Sequence, residues 1–571
     1  MIDAALTGQD RLTFLDPGRL GLGGPYAFAR AGERLLLHLG FTDIRNIDGA
    51  GDEGGDILAA RGGVRWVFQS KWTSGRTIDR TAVEQADAAK SVYRADRAAF
   101  LTNAKESPKA KERREELALV GSRVDAWQGG DLETFASKIP DYPPSRLDGD
   151  ALRPYQVAAV SKIRVALEQR KRALAVLATG LGKTVVAGEV IHAHLDENPD
   201  HDVLVVAHTK ELVAQLERAL WKHLPKQVAT QILTGDKRPP SLSGVTCATV
   251  ASAVKAVEDG YRPCLVIVDE AHHVGETGHF QQLLDMLPEA DQVGVTATPW
   301  RGDGYNVSER FGEPVFRMGI ADGMAAGYLA QVDYRLLVDE DIDWEDIARA
   351  SQQGLTVKDL NSRLYLPQRD ESIVDSLREV WDRTPGPRAI VFSRTINHAE
   401  EFAQLLRERG WPRAEALSNR QSKRQRNVLM SEFADGRVPI ITAVDVLNEG
   451  VDVPDVNILC FLRVTHSRRI FIQQLGRGLR LRPGKERVTV LDFISDIRRV
   501  AATRKLEENI EAQEKRLREK DIERLQVPGS SFVFERPDVG SLMEEWIRDA
   551  ASLEDADEEV RLEFPVGFKP D

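Results

Sequence analysis

Short apolar runs alternate with helix-period stretches through most of the chain. In one series the runs cover 174–178, 203–207, 245–250, 264–270 and 292–298; in a second, 388–393, 438–444, 456–462 and 488–493. Runs of this length without a polar face predict parallel strands covered by helices on both sides. The pattern therefore predicts two α/β units, 150–332 and 371–500, joined by an irregular connector over 333–370. The N-terminal block, 1–142, is different. Tyr26 to Leu39 has helical periodicity and stops at Gly40. Gly62-Gly63 then separates two apolar-rich runs, the signal of a two-residue hairpin. With Arg61 facing Val64, Asp56 lies opposite Gln69, and period-two alternation puts Lys71 on that same face. Prolines and polar residues over 139–150 read as a linker. The last part, 501–571, reads as a charged helix up to Leu525 followed by an acidic tail.

Composition changes this picture little. The 571 residues are too many for one core, and 42% hydrophobic with 29% charged content suits a globular protein. Of the net charge of −12, residues 526–571 carry −8 (12 acidic, 4 basic), leaving −4 for the rest. Basic surfaces thus remain open to the body, and nucleic acid is neither demanded nor excluded. Cys247, Cys264 and Cys460 sit in strand-like runs without metal-ligand spacing and read as buried small hydrophobes. The start, MIDAALTGQD, has no leader pattern, and no apolar run approaches the ~20 residues of a membrane span. The expected location is cytoplasmic, with no membrane partner.

The chemistry concentrates at Ala178-Thr179-Gly180-Leu181-Gly182-Lys183-Thr184, between an apolar run and a helical one. Backbone N–H groups at a helix start face phosphates, and glycines let the main chain approach them. Lys183 would reach the β- and γ-phosphates of a nucleoside triphosphate, and the Thr184 hydroxyl would ligate Mg²⁺. Asp269 and Glu270 end the apolar run 265–268, which places two carboxylates at a strand's C-terminal edge. Asp269 can hold Mg²⁺ through water; Glu270 can orient and deprotonate the attacking water. Hydroxyls of Thr296 and Thr298 can pass the nucleotide state to neighbouring helices. In the second unit Arg477 and Arg480, three apart, share a helix face and can act as arginine fingers.

The set ATGLGKT, DEAH, TAT, EGVDVP and QQLGRGLR, in this order over about 150–495, resembles the superfamily 2 helicase/translocase core, nearest to the DExH-type enzymes of type III restriction and repair. The resemblance implies two RecA-like parallel-sheet lobes with ATP and Mg²⁺ as cofactors. It also implies that Gln156 reads adenine, that Thr179, Gly180, Gly182, Gly450 and Asp452 line the nucleotide, and that His208–Leu212, Cys247–Thr249 and Ser393-Arg394 touch a nucleic-acid strand.

In the N-terminal block, Asp56, Gln69 and Lys71 gather a carboxylate, an amide oxygen and an ammonium at one end of the hairpin. A divalent metal takes such oxygen ligands, and the Lys can activate water or stabilise phosphate charge. Glu33 lies within the apolar stripe of its helix, costly without a partner or a task, so it is a candidate further metal ligand. The helical Glu, GGD and QSK together resemble the Mrr-like branch of PD-(D/E)XK nucleases over about 23–135, with Gln69 in place of the second acid. This implies a restriction-endonuclease-like α/β domain. The combined expectation is an ATP-dependent DNA translocase or helicase coupled to a Mg²⁺-dependent endonuclease in restriction or anti-phage defence. Its partner would be DNA, single-stranded or duplex, rather than RNA, with protein partners in the same system. Two other readings stay open: a DNA-repair helicase whose N-terminal block binds without cutting, and an RNA-stimulated ATPase.

Overall fold

The computed structural model describes residues 14–15, 17–47, 56–147, 152–239, 241–297, 306–319, 322–323, 326–337, 369–393, 395–444, 456–462, 485, 487–493 and 531–533. The chain falls into two compact units. The first comprises 1–175, 182–316 and 422–428, and the second 176–181, 317–421 and 429–571.

The N-terminal domain of the first unit is built on five strands, β1 (Thr42–Asn46), β2 (Asp56–Arg61), β3 (Val64–Lys71), β4 (Arg97–Thr102) and β5 (Val124–Trp127), hydrogen-bonded in that order. The first three are antiparallel; β3, β4 and β5 run parallel. The hairpin register is the one that the glycines dictate. Gly62 and Gly63 both have positive φ (58° and 77°), Arg61 faces Val64, and position 56 faces Gln69. Helix α1 (Pro17–His38) breaks at Gly24 (φ 66°) and runs on to His38. Its Phe28, Ala31, Leu35 and Leu36 pack on one face of the sheet with Ile57, Ala59 and Phe68. Helices α2 (Arg80–Val92) and α3 (Pro108–Leu119) cover the other face, over Leu58, Val67, Ala98 and Phe100.

The next domain begins with α4 (Pro154–Arg170) and holds β6 (Arg172–Leu177), α5 (Lys183–Glu197), β7 (Val203–Ala207), α6 (Lys210–Leu220), β8 (Thr230–Leu233), β9 (Val245–Thr249), β10 (Leu265–Asp269), β11 (Asp291–Thr296) and β12 (Phe316–Met318). The sheet order is β8-β9-β7-β10-β11-β6-β12, parallel through β8, β9, β7, β10 and β11. The strands β7 and β10 are apolar and buried on both faces, as their sequence pattern requires.

The second unit repeats the plan. Its strands are β13 (Gln331–Leu337), β14 (Ala389–Phe392), β15 (Ala414–Leu417), β16 (Ile440–Ala443), β17 (Ile458–Phe461), β18 (Arg487–Phe493) and β19 (Ser531–Val533), in the order β15-β16-β14-β17-β18-β13-β19. Two elements depart from expectation. Residues 333–337, assigned to the connector, belong to β13, which pairs in parallel with β18. Residues 531–533, assigned to the tail, pair antiparallel with β13.

The stretch read as a linker is a docked strap. Ile139 is buried, Lys226 N–H donates to Asp141 O, and Lys226 Nζ donates to Ile139 O (2.7 Å). Arg146 Nη1 lies 2.5 Å from Glu189 Oε1 on α5, and His223 Nδ1 is 2.7 Å from the same oxygen. Burial raises the Glu189 carboxyl, but hydrogen bonds from His223 and Arg146 outweigh it and hold it at about 2. A depressed carboxyl stabilises the fold above its ordinary value of 4.5 and loses that contribution as pH falls towards 2. Glu189→Gln should therefore cost roughly 1–3 kcal/mol near pH 7. The gap from wild type should narrow as urea unfolding is followed from pH 6 down to pH 3. A gap independent of pH would remove the ion pair as its cause.

Candidate functional site

At the C-terminal end of β6 the chain turns through Thr179 to Gly182 into α5. Gly180 and Gly182 both take positive φ (93° and 81°), which only glycine adopts without cost. A Cβ on Gly182 would stand 2.7 Å from Gln156 Nε2, so the glycine is also required by close approach. Gln156, on the first turn of α4, is buried and accepts from the Arg153 N–H (3.0 Å). Sequence reading thus placed Gln156 and the loop in one site, and they are neighbours. The Thr179 hydroxyl is buried with no hydrogen-bond partner among the described residues.

Lys183 is the first residue of α5 and Thr184 the second. Lys183 Nζ lies 3.1 Å from Glu270 Oε1, which follows β10 with the unusual φ of 50°. Sequence-distant groups therefore meet at the edge of the sheet. Burial first, and then the charge of Glu270, push the Asp269 carboxyl up to about 7, against the pull of Lys183. Two such acids side by side are relieved by a cation, and an orphaned hydroxyl with glycine-lined backbone suits a phosphate chain. These residues fit ATP and a divalent metal.

His272 is buried and stands between Glu270 and the end of β11, its Nδ1 3.3 Å from Glu270 Oε2 and 2.9 Å from Thr296 Oγ1. Thr296 thus stands in contact with Glu270 through His272; Thr298 lies outside the described residues. Sequence reading missed His273, whose ring lies tilted against His208 (centroids 4.0 Å apart) and His272 (4.5 Å). A His-His pair beside an acidic strand end was the available signal. Gly450, Asp452, Arg477, Arg480 and Arg394 lie outside the described residues.

In the N-terminal domain, position 56, Gln69 and Lys71 share the sheet face that α2 and α3 cover, since Leu58 and Val67 in the same register pack there. Gln69 is buried and Lys71 half-buried. Just beyond Lys71, Thr73 and Asn103 exchange two hydrogen bonds (2.9 and 2.7 Å), which pin this end of β3 to β4. The arrangement offers an oxygen donor and an ammonium to a divalent metal and a phosphate. The Glu33 carboxylate has partners of its own. It is wholly buried on the α1 side of the sheet, where Asn46 Nδ2 donates to it (3.0 Å) and Arg218 Nε, from α6, lies 2.5 Å away. Burial alone would raise its carboxyl, but Arg218 and Arg30, with hydrogen bonds from Arg218 and Asn46, hold it below its ordinary value. An oxygen so engaged has its charge already compensated. Among the described residues no three His, Cys, Asp or Glu converge on a metal-sized site, and no helix is long and apolar enough to cross a membrane. Cys247 and Cys460 are buried as expected, Cys264 partly so.

Residues 24–135 match a family model described as a restriction endonuclease, of the Mrr catalytic type. Residues 150–301 match the type III restriction enzyme, res subunit, and 371–482 the helicase conserved C-terminal domain. The DNA 3'-5' translocase XPB2 of Sulfurisphaera tokodaii is 27% identical over 387 residues, 61% of this chain and 83% of its own. The EcoAI type I restriction enzyme endonuclease subunit of Escherichia coli is 25% identical over 388 residues, 60% of this chain and 46% of its own. A solved structure, the ATP-dependent Type ISP restriction-modification enzyme LlaBIII bound to DNA, shares the fold. Its TM-score is 0.52 at 17% identity, over 96% of this chain and 43% of that one. The chain spans under two thirds of several relatives: besides the EcoAI subunit, 58% of a Schizosaccharomyces pombe helicase and 63% of a Lactococcus phage protein. The chain therefore carries, in order, a segment that matches a restriction endonuclease model, one that matches the res subunit of type III restriction enzymes and one that matches the helicase conserved C-terminal domain.

Proposed function

We propose that this protein is an ATP-driven DNA translocase or helicase that carries a Mg²⁺-dependent endonuclease and serves restriction or anti-phage defence. The observation that carries the reading is the Lys183–Glu270 pair, 3.1 Å apart at the mouth of a glycine-lined loop, in a chain that also has a restriction endonuclease domain. The backbone of 179–183 holds the phosphates, Gln156 the adenine, and Thr184 with Asp269 the metal. Bound Mg²⁺ neutralises phosphate charge and polarises the terminal phosphoryl group. Glu270, kept in orientation by His272, positions a water and accepts its proton. Arg477 and Arg480 keep the charge-stabilising role that their motif implies. In the nuclease, Asp56 and Gln69 supply metal ligands and Lys71 faces the scissile phosphate; Glu33 is left out because its carboxylate is spoken for.

The test is DNA-stimulated ATP turnover and strand cutting on linear and circular duplexes, with RNA as control. Cutting should require Mg²⁺, and DNA should stimulate turnover well above RNA. Equal stimulation would make the protein an RNA-responsive ATPase. Absence of cutting under every nucleotide and metal condition would leave a motor with a DNA-binding module. The geometry gives a second expectation. Gly182→Ala adds strain at φ 81° and a clash with Gln156, so KM for ATP should rise at least about tenfold, ~1.4 kcal/mol. An unchanged KM would take the nucleotide away from this loop.

A further inference from the structure

Helix α1 carries Arg30, Glu33 and Arg34, each at most 6% exposed, and the α5–α6 sheet domain takes up all three. Glu33 pairs with Arg218 of α6. Arg30 pairs with Glu217, the preceding residue of α6, and lies over the Trp221 ring at 4.9 Å. Glu217 accepts from Thr230 Oγ1 (2.7 Å), which in turn accepts from Trp221 Nε1 (2.9 Å). Arg34 donates to the carbonyls of Val228 (2.8 Å) and Pro225 (2.9 Å). Two backbone bonds close the same seam, Phe14 N–H to Lys226 O and Lys226 N–H to Asp141 O.

We infer that Glu33 and Arg218 are docking residues that lock the nuclease domain onto α6, so that it travels with the ATP-binding lobe as one body and its cutting answers to the motor. Glu33 is wholly buried while Arg218 is one-third exposed, so parting them leaves a carboxylate out of water without its main counter-charge, at high cost. Crossed pairs, Glu33 with Arg218 and Arg30 with Glu217, also fix orientation as a single pair would not. Glu33 and Arg218 act through this placement and touch no reacting atom. The inference deepens the reading above and depends on it for the cutting step alone.

The experiment follows backbone amide exchange on the full chain, in wild type, Arg218→Gln, Glu33→Gln and the double variant, with ATP-driven and ATP-independent DNA cutting measured alongside. In wild type the Phe14 and Lys226 amides should exchange slowly with and without a non-hydrolysed ATP analogue. Arg218→Gln should speed both at least tenfold while the amides of Val203–Ala207 stay protected, which separates undocking from unfolding. DNA-stimulated ATP turnover should stay within about twofold in that variant, and ATP-driven cutting should fall at least tenfold relative to ATP-independent cutting. The double variant should exchange less than the product of the singles predicts, since neither charge is then stranded. Unchanged exchange in Arg218→Gln, with cutting lost only in Glu33→Gln, would overturn the inference and return Glu33 to the metal. Open exchange with an unchanged ratio of the two cutting rates would also overturn it. A wild type that never cuts sinks the nuclease reading, and the exchange data still decide the docking.

Discussion

Lys183→Ala should reduce DNA-stimulated ATP turnover by about 10³-fold or more, which corresponds to ~4 kcal/mol of transition-state stabilisation. The ammonium sits 3.1 Å from Glu270 with only 11% of its side chain exposed. The loss should be in kcat as well as in KM, because charge on the transferring group grows towards the transition state. The fold should survive. Position 183 is the first of α5, where alanine is a good helix former, and Glu270 keeps His272 at 3.3 Å. Circular dichroism and a single cooperative melt check that part, and a turnover assay at saturating DNA checks the rest. Turnover within a factor of a few of wild type would refute the motor assignment.

The parts that were legible in the sequence are those where local chemistry leaves one choice. The strands Val203–Ala207 and Leu265–Asp269 are unbroken apolar runs, so burial on both faces was readable from them alone. The N-terminal hairpin was readable because Gly62-Gly63 permits the positive φ that a two-residue turn needs, and the register then follows by counting. Glu33 shows the limit of that method. Its placement in an apolar helical stripe announced that a partner existed, but the partner, Arg218, lies 185 residues away on another domain. No local rule reaches it. Arg30 and Arg34, on the same helix face, were the hint that the charges answered each other rather than a metal. The strap failed for the same reason: prolines at 140, 143 and 144 describe a spacer, while Ile139, Tyr142 and Arg146 find their contacts on α5 and around Lys226. Strand β13 was hidden because Val332-Asp333-Tyr334-Arg335 mixes polar and apolar positions and pairs with residues more than 150 positions later.

Asp56→Ala should abolish metal-dependent cutting, by about 10³-fold or more, and leave ATP turnover intact. The reasoning rests on which side of a sheet each group occupies. Position 56 faces Gln69 on the side covered by α2 and α3, with Lys71 one alternation further on. The contacts to the ATP-binding lobe come instead from α1, on the opposite side, and from the strap. A change at 56 therefore does not reach the docking seam. Lys71→Ala should lower cutting as well while metal affinity changes less, because an ammonium beside a phosphate stabilises developing charge without ligating the cation. The clamp between Thr73 and Asn103 holds the strand end in either variant. Single-turnover cleavage of a supercoiled plasmid, titrated with Mg²⁺ and run beside the ATPase assay, separates these effects. Cutting by Asp56→Ala at the wild-type rate would reject the metal site, and loss of ATP turnover in the same variant would mean that the two faces of the sheet are coupled after all.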